Sequence, residues 1–566
     1  MASKGHPNLP YLYGLESYEF NDLRISSTSS NVESLKKQLP PPTQPGWRFY
    51  AAFGCLCVVN LVCALDATSL AVALPIVAAG LHGTAIEAFW AGTSFLLAAT
   101  VFQPSFASLS HVFGRKPMLL LALTLFTVGA IIAALAKNFT FLLVGRSIQG
   151  VGGGGISALT YVIVTDMVSL KERGKWFGLV TMMWAFGSVV GPVIGGMLAE
   201  KISWRWIFWL NIPFCGFAFL TIPPFLRLKP KEGRILEKIK TVDWLGSFLF
   251  IGSLTSLLIP ITWGGIMYSW TSWRTTIPIE AGLIGFILFI LWSKLSRVEP
   301  ILRGSMFKDP SALVSYFGTV VHGMFLWSVL YYMPLYFEAV KGYSPVKSGI
   351  ALFPWTFTTG PVAAAVGIMI AKTGRYIWGI YSGWFLTVLG IGLLVLLDAK
   401  TSTTMWAPIA TISGLGLGIL YSAMSFAIQA PASNKDLPFA AALYSFFRNF
   451  GQMLGVAVGG TVFQNQIKSN LLKVPELARS ALEFSMDASA LVEAIKMMPE
   501  GQDDVVLEEL VKAYVDALRV LWVVMCALAG VAFLLSLVFA RATGLDRELE
   551  TEQGFVHDGK VGDEEK

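Results

Sequence analysis

Few ionisable side chains fall inside the long apolar runs of this chain: Asp66, Glu87, Arg146, Glu280 and Arg448, with His322 beside them. If those runs lie in hydrocarbon, each mid-run charge costs about 2.5–3.5 kcal/mol on the insertion scale, so each needs a partner or a task. Asp66 lies just past the middle of the run 49–75, and Arg146 just before the middle of the run 139–165. The two runs are traversed in opposite directions, so both charges stand about 6–9 Å to the same side of the midplane, at ~1.5 Å per residue. Opposite charges at similar depth can meet, and pairing relieves the cost of either alone. Such a pair is either a static bridge or a carboxylate whose protonation a conformational change can tip. Glu87 and Glu280 sit near the ends of their runs, where an interfacial position suffices. Arg448, mid-run in SFFRNFGQMLG, either pairs with backbone carbonyls or faces a bound molecule. His322 is either a packing histidine or a cavity residue.

Other chemistry finds little support. The five histidines show no metal-ligand spacing and there is no nucleophile elbow, so neither an enzyme nor a metal site is expected. The five cysteines lie in apolar runs without disulfide or zinc spacing and read as small fillers. Gly150–Gly155 spells a dinucleotide fingerprint, but no strand precedes it and it falls mid-run, so it reads as a close helix contact. Gly174-Lys175 is followed by Trp176, which lacks the hydroxyl a P-loop needs for magnesium. No cofactor is expected, and any work would draw on an ion gradient.

The elements that must position these residues are read from composition. Over 566 residues the apolar set is 54% and the charged set only 14%, far below the ~25% typical of soluble domains. A net charge of +6 spread over this length is no basic patch, which argues against nucleic acid as a partner. Fourteen runs recur, at about 49–75, 86–109, 117–136, 139–165, 175–199, 205–228, 244–264, 275–293, 312–336, 348–371, 377–397, 405–429, 438–463 and 516–540. Each is long enough to cross ~30 Å of hydrocarbon as a helix. The fold class is therefore an all-α polytopic membrane protein whose partner is the lipid bilayer, and a monomer is expected. Short loops carrying Arg115, Lys116, Lys171, Arg173, Arg227 and Lys231 put both tails inside by the positive-inside rule. Residues 1–46 read as a disordered tail, and 541–566 as a second cytoplasmic tail. An outer loop is expected at about 465–515, with ALVEAIKMM and VVLEELVKAYVDAL as amphipathic helices. The sequon at Asn138 lies so close to the membrane that glycosylation there is disfavoured.

The inner loop after the second run, Phe113-Gly114-Arg115-Lys116, is echoed after the tenth by Lys372-Thr373-Gly374-Arg375. That repeat predicts a six-helix half at 47–228, two inserted spans at 229–310 and a second half at 311–540, with a site near the midplane between halves. Gly187, Gly191 and Gly195 recur every fourth residue and let a neighbouring helix approach, while Pro192 removes a backbone bond and kinks the span.

LDATSLAVALP (65–75), LSHVFGRKP (109–117), LLVGRSIQGVGGG (142–154), GSVVGPVIGG (187–196) and WRWIFWLNIP (204–213) stand in order at matching spans. Together they resemble the major facilitator superfamily, in particular its fourteen-spanner drug/proton antiporters. DWLGSFLF (243–250) and PLYFEAVKGYSPVKSGI (334–350) are similar to its fungal efflux-pump branch. The resemblance implies that Gly114, Arg115 and Asp166 gate the inner side, with Arg115 holding Asp166. It implies that GSVVGPVIGG marks exporters, and that Asp66 and Arg146 couple transport to protons. Ala107 and His111 depart from the family pattern, which has glycine and aspartate there. The expected activity is proton-driven export of a small amphipathic drug or fungal metabolite at the plasma membrane. The alternatives are a siderophore or nutrient symporter, a vacuolar location, and a non-transporting receptor.

Overall fold

A computed structural model describes residues 46–547 and 551–555, apart from 84, 266, 297, 476, 478–494 and 496–503. The expected disordered segment up to residue 45, residues 556–566 of the second tail and the stretch ALVEAIKMM, except Ile495, lie outside the described residues.

Among the described residues fourteen long helices run α1 (Trp47–Gly80), α2 (Ala85–Phe113), α3 (Arg115–Ala134), α4 (Phe139–Met167), α5 (Arg173–Lys201), α6 (Asn211–Phe225), α7 (Trp244–Trp263), α8 (Trp273–Leu295), α9 (Pro310–Ala339), α10 (Phe353–Thr373), α11 (Ile377–Leu394), α12 (Thr403–Gln429), α13 (Leu437–Leu471) and α14 (Asp504–Phe539). Among the described residues no strand is present, and the fold is all-α. Thirteen spans among the described residues are long and apolar enough to cross a membrane, α6 counting together with the short helix Trp206–Trp209 before it. α13 has the length, at 35 residues, but its Arg448, Asn449, Gln452, Gln464, Asn465, Gln466, Lys468 and Asn470 dilute its apolarity. Arg448, Asn449 and Gln452 are buried, in the part of the helix that packs on α9 and α14 and, across the bundle, on α2 and α4, whereas Asn465 and Lys468 are exposed toward its end.

Local signals set the helix starts. Asn138 accepts from Phe141 N at 3.0 Å to cap α4, so the sequon asparagine has a structural task. Asp243 accepts from Gly246 N at 2.9 Å to cap α7 and from Trp292 Nε1 of α8 at 2.8 Å, tying those two helices into a pair. Asp309 caps α9 ahead of Pro310, whose missing N–H costs nothing at the first turn. Gly114 turns α2 into α3 at φ +102°, a conformation that strains any side chain.

Within the first half α4 packs on α2 and α3, and α1 on α5; within the second α9 packs on α13, and α12 on α10 and α11. The halves meet where α5 lies on α10 and α13 lies on α2 and α4. The helix pair α7–α8 leans on α2 and α13. Glycines set the closest approaches. In α4, Gly150 and Gly154 face the backbone of α2 at Phe95 and Ala99, and Gly152 faces α3 at Phe126. A Cβ at any of these would collide with main chain, which accounts for the run Gly150–Gly155.

The outer connection is shorter at both ends than expected. α13 continues to Leu471, and α14 starts at Asp504, so VVLEELVKAYVDAL is the first part of the last helix, not a separate surface helix. No glycine or proline interrupts 504–529, and Leu510, Ala513, Tyr514, Ala517, Leu518 and Leu521 are buried at helical spacing. Nor does Pro192 end its helix, since α5 runs on to Lys201.

Candidate functional site

α4 is almost wholly buried and carries polar side chains at three depths. Arg146 and Gln149 lie toward one end, Tyr161 further along, and Asp166 at the other. Twenty residues separate Arg146 from Asp166, about 30 Å of helix, the thickness of the hydrocarbon core.

In the outer layer the structure brings Asp66 and Arg146 together. Arg146 Nη1 donates to Asp66 Oδ2 at 2.5 Å, with both residues about 1% exposed. The other carboxylate oxygen accepts from Gln149 Nε2 and from Asn211 Nδ2 of α6, each at 2.8 Å. The guanidinium also donates to Gln149 Oε1 at 2.8 Å and, through Nε, to Ala91 O of α2 at 3.0 Å. It lies over the Phe95 ring at 4.4 Å. Gly187, Gly191 and Gly195 of α5 all face α1, against Ala64, Thr68 and Ser69, so the acid-bearing segment of α1 is held against this glycine face. Pro192 faces Gly349 of the second half.

In the middle layer the halves touch through phenols. Arg448 of α13 donates to Tyr161 Oη at 3.0 Å, and the Tyr161 and Tyr421 hydroxyls are 3.2 Å apart. Tyr444 donates to Tyr421 O at 2.7 Å. His322 is buried, with Nε2 3.0 Å from Leu417 O of α12, and its ring stands edge-on to Tyr421. Beside this layer a cavity of about 30 Å³ is lined by Trp184 and Ser188 of α5, Trp355 and Thr359 of α10, and Leu417 and Tyr421 of α12. A second, of about 10 Å³, is lined by Cys63, Phe95, Trp184, Asn449 and Gln452.

At the inner end, the one expected to face the cytoplasm, Arg115 Nε donates to Asp166 Oδ2 at 2.9 Å and Nη1 to Ser110 Oγ at 2.8 Å. Here the C-terminal segment enters. Thr551 Oγ1 donates to Asp166 Oδ1 at 2.7 Å, and Gln553 Oε1 accepts from Arg115 N at 3.1 Å. Lys231 and Glu552 pair at 2.6 Å; that hydrogen bond and the lysine's charge hold the Glu552 carboxyl below its usual range. Further back the same segment ties to the second half, where Tyr376 donates to Arg541 O and Arg547 donates to Ala430 O and Ala432 O. Arg173 spans the halves as well, donating to Gln429 Oε1 at 3.2 Å. His111 stands at the rim, 4.0 Å from Glu299. Glu280 is exposed on α8, away from all three layers.

Gln149, Asn211, Tyr161, Tyr421, Arg173, Gln429, Thr551 and Gln553 are additions to the residues singled out from sequence. Gln149 had a usable signal, since it lies one helical turn from Arg146 on the same face. The others meet their partners only through tertiary contact.

Buried charge clusters at both ends of one helix, a cavity between two six-helix halves and an inner end held shut are the parts of a transporter that opens alternately to its two sides. The sequence comparisons agree. The family model described as Major Facilitator Superfamily matches residues 56–456. The chain is 54% identical over 542 residues to MFS transporter L2 of Phoma sp., covering 96% of this chain and 90% of that protein. It is 34% identical over 523 residues to Efflux pump FUS6 of Gibberella fujikuroi, covering 91% and 93%. It is 35% identical over 527 residues to the Acurin A biosynthesis cluster MFS-type transporter of Aspergillus aculeatus, covering 92% and 94%. This chain belongs to the major facilitator superfamily: it is a multi-pass membrane transporter, not an enzyme.

Proposed function

We propose that this transporter exports small amphipathic organic molecules, of the fungal secondary-metabolite kind, from the cell across the plasma membrane, in exchange for protons. The observation that carries the reading is the outer cluster. Asp66 is a buried carboxylate whose charge is matched by Arg146 and whose oxygens are filled by Gln149 and Asn211. Proton arrival at Asp66 releases Arg146 from its counter-charge and leaves a buried cation, which favours rearrangement of α1 against α4 and α5. The inner pair, Arg115 and Asp166, holds the other end closed until that rearrangement reaches it. Support for export comes from the glycine face of α5 and from relatives whose names describe efflux pumps and a biosynthetic-cluster transporter.

The test is a deletion strain of the organism carrying this chain, with culture fluid and cell extract compared by mass spectrometry. At least one amphipathic compound shifts from fluid to cells, returns to the fluid with the restored protein, and stays inside when a protonophore is added. A compound whose uptake, rather than release, needs the protein and the gradient makes the chain a symporter and overturns the reading.

A further inference from the structure

We infer that the molecule carried in the central cavity is an organic anion, an aromatic or otherwise apolar body bearing one carboxylate or acidic enol. This rests on the transport reading above and names the substrate class of the same site. Arg448 is the starting point. It is 4% exposed and among the described residues forms no ion pair; its partners are the Tyr161 and Tyr444 hydroxyls, with Tyr161, Tyr421 and Tyr444 rings around it at 4.5–5.3 Å. Its Nε is buried with no hydrogen-bond partner among the described residues. The other buried arginines are supplied differently: Arg146 has Asp66, Arg115 has Asp166, and Arg173, at the inner end, donates from Nε, Nη1 and Nη2 to Val168 O, Gln429 Oε1 and Thr165 O. A buried guanidinium without an anion is expensive, and such groups in membrane proteins mark the path of what is carried.

The hydrogen-bond directions lead from Arg448 to the cavity. Tyr161 Oη accepts from Arg448 Nη1, so its own hydrogen is free to go to Tyr421 Oη, 3.2 Å away. Tyr421 then keeps its own O–H uncommitted, and Tyr421 lines the larger cavity. The chain of donors Arg448, Tyr161, Tyr421 ends in the hydroxyl of a cavity-lining residue, polarised by a positive charge behind it. His322, edge-on to Tyr421, already meets Leu417 O and brings no negative charge. The rest of the wall is apolar, with Trp184 and Trp355 its largest side chains, apart from the hydroxyls of Thr181, Ser188, Thr356 and Thr359. Among the described residues no carboxylate lines the cavity, so a cation would meet no counter-charge. An anion meets a donor at one end and two indoles along its apolar body.

The test uses the purified full-length chain in detergent and two probes of one shape: radiolabelled 1-naphthaleneacetate, an anion, and 1-naphthaleneacetamide, its neutral amide. The carboxylate should bind saturably and at least about tenfold more tightly than the amide. Arg448→Gln should bring the two within about twofold of each other, chiefly by weakening the carboxylate, because the charge behind the relay is gone. Arg448→Lys, which keeps the charge, and Tyr421→Phe, which keeps the ring, should each retain a smaller preference; they also guard against misfolding of the glutamine variant. Equal binding of acid and amide, a preference that survives in Arg448→Gln, or no saturable binding of the carboxylate overturns the proposal. Selective binding of the carboxylate without any release of compound from cells would sink the export reading while leaving the anion site standing. Export of compounds with no such charge preference would do the reverse.

Discussion

Asp66–Arg146 and Arg115–Asp166 are the same chemical pair built twice, at opposite ends of α4, and their supports differ. Every partner of the outer pair comes from the first half: Ala91, Gln149 and Asn211, each on a helix already packed around α1 and α4. The inner pair draws two of its bonds from Thr551 and Gln553, nearly four hundred residues or more away in sequence, on a segment also anchored to the second half. The outer pair can be undone only by changing its charge. The inner one can be undone by moving a strap. On the function proposed above, that difference suits the two pairs to different tasks, charge sensing outside and locking inside.

The largest effect should come from breaking the outer pair. Asp66→Ala or Arg146→Ala leaves an uncompensated buried charge and should cost on the order of 3–5 kcal/mol of stability. The double variant should lose less than the sum of the two, as read from thermal unfolding of the purified chain. Strict additivity would deny that the two act as a unit. Next, Arg115→Ala should slow transport while changing the affinity for a bound compound by no more than about twofold, since it lies a membrane half-thickness from the cavity; a selective loss of affinity would place it in the binding site. A smaller effect should follow from Thr551→Val with Gln553→Ala. The charged pair survives, so the fold is kept, but amide hydrogen exchange at 110–118 and 164–170 should rise by about tenfold as the inner end opens more often. Unchanged exchange there would reduce the strap to decoration.

The smallest effect concerns the rim outside the spans. Burial alone would push the Asp436 carboxyl up, but hydrogen bonds from Arg303, Ser433 and Ser305 outweigh it and hold the carboxyl below its usual range. A lowered folded-state value means the link between Arg303 and the start of α13 is fully made above the ordinary carboxylate range. It is lost as the pH falls through the lowered value. Arg303→Gln should lower stability modestly at neutral pH, leave it nearly unchanged below the lowered value, and so flatten that part of the acid-stability profile, as read from thermal unfolding at several pH values.

The sequence carried the spans well because a membrane forces long apolar helices, and depth along a helix is plain arithmetic. That arithmetic alone matches Asp66 to Arg146. α13 shows the limit of apolarity: it is the least apolar of the long helices, and its Arg448, Asn449 and Gln452 are buried against protein. Asn211 and Gln429 were not legible, since one amide in an apolar run looks like any other until its partner is known. The strap was hidden for a different reason. Its composition is that of a solvated tail, and its order comes from contacts far back in the chain, to Ser110, Arg115, Asp166 and Lys231 among others.

The most direct measurement takes the compound that accumulates in the deletion strain and loads it into vesicles holding the purified protein. Two rates are read, exchange across the membrane at equal pH and concentration against an imposed pH gradient. Asp66→Asn should exchange the compound at close to the unaltered rate yet fail to concentrate it, whereas Arg115→Ala should slow both. An Asp66→Asn protein that still concentrates the compound when the gradient is imposed would contradict the account.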